Sequence, residues 1–170
     1  MEKPIAKFFL FLFVLSALVW MYASSMKNYQ AGMLFEFGTA NFKQEINADV
    51  ERTIYRTISE NALIAFVSYP LTILAAAGFA ATTRWKFRID GWLMMSAILL
   101  FGFVPVELYC AWLDWKIVGL NYWGDWPLEE FRKAILMRMT ALAGLPFIAQ
   151  LCYFTIPFFI IFKPLQKQEA

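Results

Sequence analysis

Glu107 is the residue in this chain whose type and position are hardest to reconcile with simple packing. It sits inside the long apolar run from Gly91 to Trp112, and a carboxylate in such a segment is costly enough to need a partner, a cavity or water. Arg138 lies a few residues into the next apolar run, 134–162. Counted from Trp112 and from Ala134, the two side chains sit at depths of about 8 Å and about 6 Å at the helical rise. An ion pair is therefore expected between them. Such a pair either fixes helix register or forms a proton-active or ligand-binding carboxylate tuned by the guanidinium. Tyr109, Trp112 and Trp115 follow Glu107 closely and complete the candidate site. Pro105, two residues before it, leaves the Phe101 carbonyl without its helical donor. Pro70, Pro146 and Pro157 do the same to Phe66, Leu142 and Tyr153.

Other chemistry is excluded by what is missing. The 170 residues contain no histidine and two cysteines, Cys110 and Cys152, so imidazole ligation of haem or metal is unavailable and no C-x-x-C pair exists. At helical rise the two thiols lie too far apart in depth for a disulfide. No phosphate-binding glycine loop, serine-hydrolase elbow or zinc-protease motif occurs. Fifteen basic against thirteen acidic side chains is too even a balance for a nucleic-acid partner. No cofactor is expected, although a lipid or a quinone fits the apolar composition. A small multidrug-type transporter would need an acid early in its first span, and none is there.

The elements that position these residues are membrane spans. Hydrophobic residues make up 61% of the chain and charged residues 16%, whereas soluble domains average roughly 45–50% and about 25%. Four apolar runs, 5–24, 61–83, 91–112 and 134–162, are each long enough to cross a bilayer. The first, with a basic start and Ala23-Ser24-Ser25 at its end, also fits a secretory signal peptide. The expected fold is an all-α, single-domain membrane protein with four transmembrane helices in an antiparallel bundle. Loop 84–90, with Arg84, Lys86 and Arg88 against Asp90, is assigned to the cytoplasm by the positive-inside rule. Both termini follow it there. Seven basic and three acidic residues then face inward, while eight basic and nine acidic face outward, leaving Glu107 in its span.

The outer loops, 25–60 and 113–133, carry further signals. Phe42, Ile46, Val50, Ile54 and Ile58 recur every fourth residue, predicting an amphipathic helix over 42–59 that runs into the second span. Thr39 or Asn41 is expected to cap it. Leu34, Phe35 and Phe37 form an apolar segment outside the membrane that needs the bilayer surface, the bundle or a partner to cover it. Together with Phe42, Ile46, Val50 and Ile54 they form a candidate interface. Pro127, after Asp125 and before Glu129 and Glu130, marks the start of a fourth helix expected to run inward without a break. The small residues at 75–78 and 80–81, and at 141, 143 and 144, predict close packing of the second and fourth spans or an interface with another protein. The leading functional expectation is a non-catalytic subunit or assembly factor of a larger membrane complex, docking on other integral subunits. The alternative is a small transporter or lipid- or quinone-binding protein centred on Glu107 and Arg138. A bacterial inner membrane is the expected location.

Overall fold

The computed structural model describes residues 4–44, 46–83, 91–124 and 127–164. The basic loop 84–90, the extreme termini, Glu45, Asp125 and Trp126 lie outside the described residues. Apart from short turns the described chain is helical: α1 (Pro4–Met33), α2 (Ala48–Thr82), α3 (Gly91–Gly102), α4 (Val104–Trp123), α5 (Leu128–Thr140) and α6 (Leu145–Phe162). The consecutive pairs α3–α4 and α5–α6 each act as one interrupted rod. Four rods, Pro4–Met33, Ala48–Thr82, Gly91–Trp123 and Leu128–Phe162, are thus long and apolar enough to cross a membrane.

Each rod has 30 to 35 residues, or about 45–52 Å at helical rise, against a hydrocarbon core of about 30 Å. The surplus lies at the ends that the sequence reading treated as outer loops. Those loops shrink to the segments between Met33 and Ala48 and between Trp123 and Leu128. Two cores result. One, in the apolar halves, gathers Trp20, Ala23, Ala65, Tyr69, Leu100, Ala149, Tyr153 and Ile156. The other, in the extensions, gathers Ala31, Leu34, Phe35, Tyr55, Ile58, Ile117, Phe131 and Ile135.

The expected helix over 42–59 starts six residues late. Asn47 caps α2 by accepting the Asp49 N–H on its side chain at 3.1 Å, while Thr39 instead accepts the Asn41 N–H within the preceding turn. Gly38, at φ +75°, lets the chain reverse there. Phe42 then pairs with Phe35 in an isolated antiparallel bridge, their rings 4.6 Å apart, and its neighbours Asn41 and Lys43 bond through their backbones to Glu36 and Leu34 rather than along a helix. The stripe is also not uniformly inward: Ile58 is buried and Ile54 packs on the core, but Val50 is not part of it. A strict four-residue repeat drifts by about 40° per step around a helix of 3.6 residues per turn, and Val50 accordingly points outward. The face that is buried runs Glu51, Tyr55, Ile58, Ser59, Ala62, Ala65, Tyr69, Thr72, Ala75.

Two expectations about the later rods are corrected. The fourth is broken by a 3-10 turn, Ala141–Gly144, in which Leu142, Ala143 and Gly144 all take positive φ. Pro146 in the next turn cannot donate back across it. Pro70 and Pro157 lie inside unbroken helices, whereas Pro105 starts α4 just after the break at Phe103. Of the small residues of α2, Gly78 faces α1 rather than the fourth rod, since a Cβ there would meet the Phe9 ring at 2.5 Å, whereas Ala76 lines a space with Ile156 and Ile160 of α6.

The extensions are tied together by Glu51, almost fully buried. Arg132 donates Nε and Nη2 to its two carboxylate oxygens, both at 2.7 Å, and the Tyr55 hydroxyl donates to Oε1 at 2.6 Å. The Tyr55 ring stacks on Phe131 at 5.0 Å. Because a hydrogen bond to a charged group contributes about 1.5–3 kcal/mol, Tyr55→Phe should lower the unfolding free energy by that amount. Thermal melting in detergent checks this, with Val50→Ala on the exposed face expected to change stability by less than about 0.5 kcal/mol.

Candidate functional site

Between the two cores lies a layer of charge. On α1 the buried positions Ser16, Trp20, Ala23, Lys27 and Ala31 follow helical spacing, which carries the Lys27 ammonium inward along with its apolar neighbours. On α4 the inward face includes Cys110, Asp114, Ile117 and Val118. Asp114 accepts the Lys27 ammonium on Oδ2 and the Arg138 Nε on Oδ1, the latter at 2.9 Å. The side chains of Lys27, Asp114 and Arg138 are 6%, 7% and 11% exposed, so two cations share one carboxylate with little water. Beside them Asn28 donates to Gln150 Oε1 at 3.0 Å, and Gln150 donates to Ser25 Oγ at 2.5 Å.

Arg138 therefore pairs with Asp114 and not, as expected, with Glu107. The register explains it. The depth count began at Trp112 and Ala134, but α4 continues to Trp123 and α5 begins at Leu128. Asp114 is nine residues before the end of its helix and Arg138 ten after the start of the next. Equal distances from the turn put those two opposite each other, with Glu107 two turns deeper.

Glu107 stays close to the cluster without joining it, and among the described residues its carboxylate makes no hydrogen bond or ion pair. It lines two voids. One, about 150 Å³, opens between α1, α2 and α4 and also contacts Lys27, Tyr69 and Asp114. The other, about 20 Å³, is bounded by Trp20, Asn28, Arg138, Pro146, Gln150 and Tyr153. Trp20 lies between Tyr69 and Tyr153, 4.8 Å from each ring. Both phenol oxygens are buried and, among the described residues, have no hydrogen-bond partner within reach.

A larger cleft of about 440 Å³ opens sideways between α1 and the broken fourth rod. Ser25, Asn28, Arg138 and Gln150 form its polar end, and Phe147, Leu151 and Phe154 its apolar flank. It shares Asn28, Arg138, Pro146 and Gln150 with the small void. The break at Ala141–Gly144 makes room for it, since Gly144 and Pro146 form part of its wall.

The aromatic part of the expected site is elsewhere. Tyr109, Trp112 and Trp115 are exposed on the outer side of α4, with Lys116 over the Trp112 ring at 3.7 Å and Trp115 against Phe66 and Trp123. Of the candidate interface, Leu34 and Phe35 are buried in the chain's own outer core, and Phe42, Ile46 and Ile54 pack against it. Phe37 and Val50 alone of that set are exposed. Lys27 and Asp114 were missed because both were read as loop residues. The seven-residue interval from Glu107 to Asp114, two helical turns on one face, was the available signal.

Chemically the cluster offers hydrogen-bond donors and one net positive charge; among its residues there is no nucleophile activated by a base. Removing its shared carboxylate leaves two buried cations facing each other. Asp114→Asn should therefore cost about 3–5 kcal/mol and sharply reduce yield. Replacing Lys27, Asp114 and Arg138 together by Met, Leu and Met, with Glu107→Gln so that no lone charge remains beside them, should recover most of that loss, because the desolvation cost disappears with the attraction. Detergent melting curves of the two variants check the contrast. No family model matches the chain, and neither a curated protein nor a solved structure matches it.

Proposed function

We propose that the protein is an amphiphile-binding integral membrane protein, in which a lipid or quinone lies in the lateral cleft with its head against Arg138. The observation that carries this reading is the gradient along the cleft, from Ser25, Asn28, Arg138 and Gln150 to Phe147, Leu151 and Phe154. Ser25 and Asn28 follow the end of the first apolar run, Gln150 is hydrogen-bonded to both, and a level near the lipid head groups for this polar end, with the flank continuing into the apolar half, supports the reading. A soluble ligand would have no use for that flank. The finer topology belongs to the same reading: an antiparallel four-helix bundle, both termini in the cytoplasm, the helix extensions outside, in a bacterial inner membrane. It draws on the excess of basic residues in the inner segments.

Docking into a larger complex is supported by a different surface. Phe37 is 104% exposed, beside a groove of about 470 Å³ that also involves Gly38, Lys43, Leu136 and Met139. Its apolar ring at the tip of a tight turn suits insertion into a partner subunit. Mild extraction distinguishes the two: a subunit carries stoichiometric proteins, and a binding protein carries a small amphiphile.

Solvent extraction of the purified protein followed by mass spectrometry is expected to recover about one enriched amphiphile per chain. Leu151→Trp, which fills the apolar flank, should reduce that recovery several-fold while leaving the fold intact. An extract that only mirrors bulk membrane lipid would defeat the reading. For topology, a reporter fused after Ala170 should be active on the cytoplasmic side, and activity only on the outer side would overturn the orientation.

A further inference from the structure

We propose that the cleft's ligand is an anionic amphiphile and that its binding is coupled to uptake of one proton by Glu107. This rests on the reading of the cleft as an amphiphile site. The starting point is the charge count around connected voids. Lys27, Asp114 and Arg138 together carry one net positive charge. The residues lining the cleft and the two voids include one other charged side chain, Glu107. Glu107 is thus the counter-ion that makes this region neutral, yet among the described residues no hydrogen bond holds it.

Arg138 connects it to the cleft. Its Nε is committed to Asp114 at 2.9 Å, while the guanidinium lines both the cleft and the small void that Glu107 borders. The remaining N–H groups of its planar fork suit a phosphate or carboxylate head. An anion there adds a third negative charge, beside Asp114 and Glu107, to a region that was neutral, and low polarity makes an unbalanced charge expensive. Neutralising Glu107 with a proton from water restores the balance. The anion then takes over as counter-ion, and no bond besides O–H on Glu107 is formed.

The groups facing Glu107 allow this exchange. They are Lys27 from α1, Tyr69 from α2, Cys110 and Asp114 from α4, Arg138 from α5 and Tyr153 from α6. Asp114 is held by two cations, which leaves Glu107 as the carboxylate free to accept the proton. The unpartnered hydroxyls of Tyr69 and Tyr153 can hydrogen-bond either form of it. The void of about 20 Å³ has room for one water between Glu107 and Arg138.

The test is lipid binding by native mass spectrometry across about pH 5 to 8, with phosphatidylglycerol as the anionic probe and phosphatidylcholine as its zwitterionic match. The phosphodiester of phosphatidylglycerol stays ionised throughout, so any slope belongs to the protein. Phosphatidylglycerol affinity should rise by up to about tenfold per unit fall in pH, the limit for one coupled proton, with phosphatidylcholine flat. Glu107→Gln should bind phosphatidylglycerol at every pH as the wild type does at the acid end, and Glu107→Asp should keep the slope. If Glu107→Gln is poorly stable, phosphatidylglycerol should raise its melting temperature more than phosphatidylcholine does. Equal binding of both lipids, or a slope that survives in Glu107→Gln, would overturn the coupling while leaving the amphiphile reading in place. Binding of neither lipid would remove that reading itself. Competition by inorganic phosphate alone, at equal concentration, would mean a free anion is the ligand and the amphiphile is not.

Discussion

Asp114 holds the protein together at its most expensive point. It is one carboxylate between two cations from different rods, Lys27 on α1 and Arg138 on α5, and all three are nearly removed from water. Transferring such groups out of water costs several kcal/mol each, and only mutual pairing offsets it. The alternatives are therefore strongly disfavoured: a rotation of α1 or a one-turn slip of α5 would leave a buried cation unpaired. The register of three rods depends on this contact more than on apolar packing, which a slipped helix could largely recover in lipid.

The rest of the architecture is arranged around that layer. On one side of it, Trp20 between Tyr69 and Tyr153 forms the centre of the core in the apolar halves of the rods. On the other, Glu51 with Arg132 and Tyr55 closes the extensions into a second core that also covers Leu34 and Phe35. The fourth rod breaks next to the charge layer, at Ala141–Gly144 after Arg138, and the third breaks deeper, at Phe103 before Glu107. A continuous helix presents a closed backbone cylinder. Breaks open side spaces, and the lateral cleft is one of them.

The proposed function rests on the incompleteness of the layer. A fully paired cluster would be a register device and nothing else. Here the pairing stops one short: Glu107 is left beside two voids with its charge balanced only at a distance, and two phenol hydroxyls nearby lack partners. Unsatisfied groups in an enclosed site cost stability, and a bound ligand or water is the ordinary compensation. The cleft that reaches Arg138 between α1 and the fourth rod, with its apolar flank, is what supports an amphiphile in the proposed reading.

The amino-acid sequence by itself determined the four apolar rods, the helix start after Pro127, the value of Glu107 and Arg138 as odd residues, and the absence of histidine-based chemistry. These are properties of composition, run length and residue type, which are local. Only the tertiary structure decided where the helices truly end, and that changed the partner of Arg138 from Glu107 to Asp114. Hydropathy marks where a helix leaves the hydrocarbon, whereas the helix itself stops where its backbone is capped or broken, some ten residues later in α1 and α4. The same difference hid Lys27 and Asp114, charged residues assigned to loops by their hydropathy and buried by their position on extended helices. It also turned Leu34 and Phe35 from an exposed surface into core, because the bridge from Phe35 to Phe42 folds that segment back in a way no local pattern encodes. Tyr109, Trp112 and Trp115 share a sequence neighbourhood with Glu107 but not a face, since neighbours along a helix point in different directions and three-dimensional proximity follows the 3.6-residue turn.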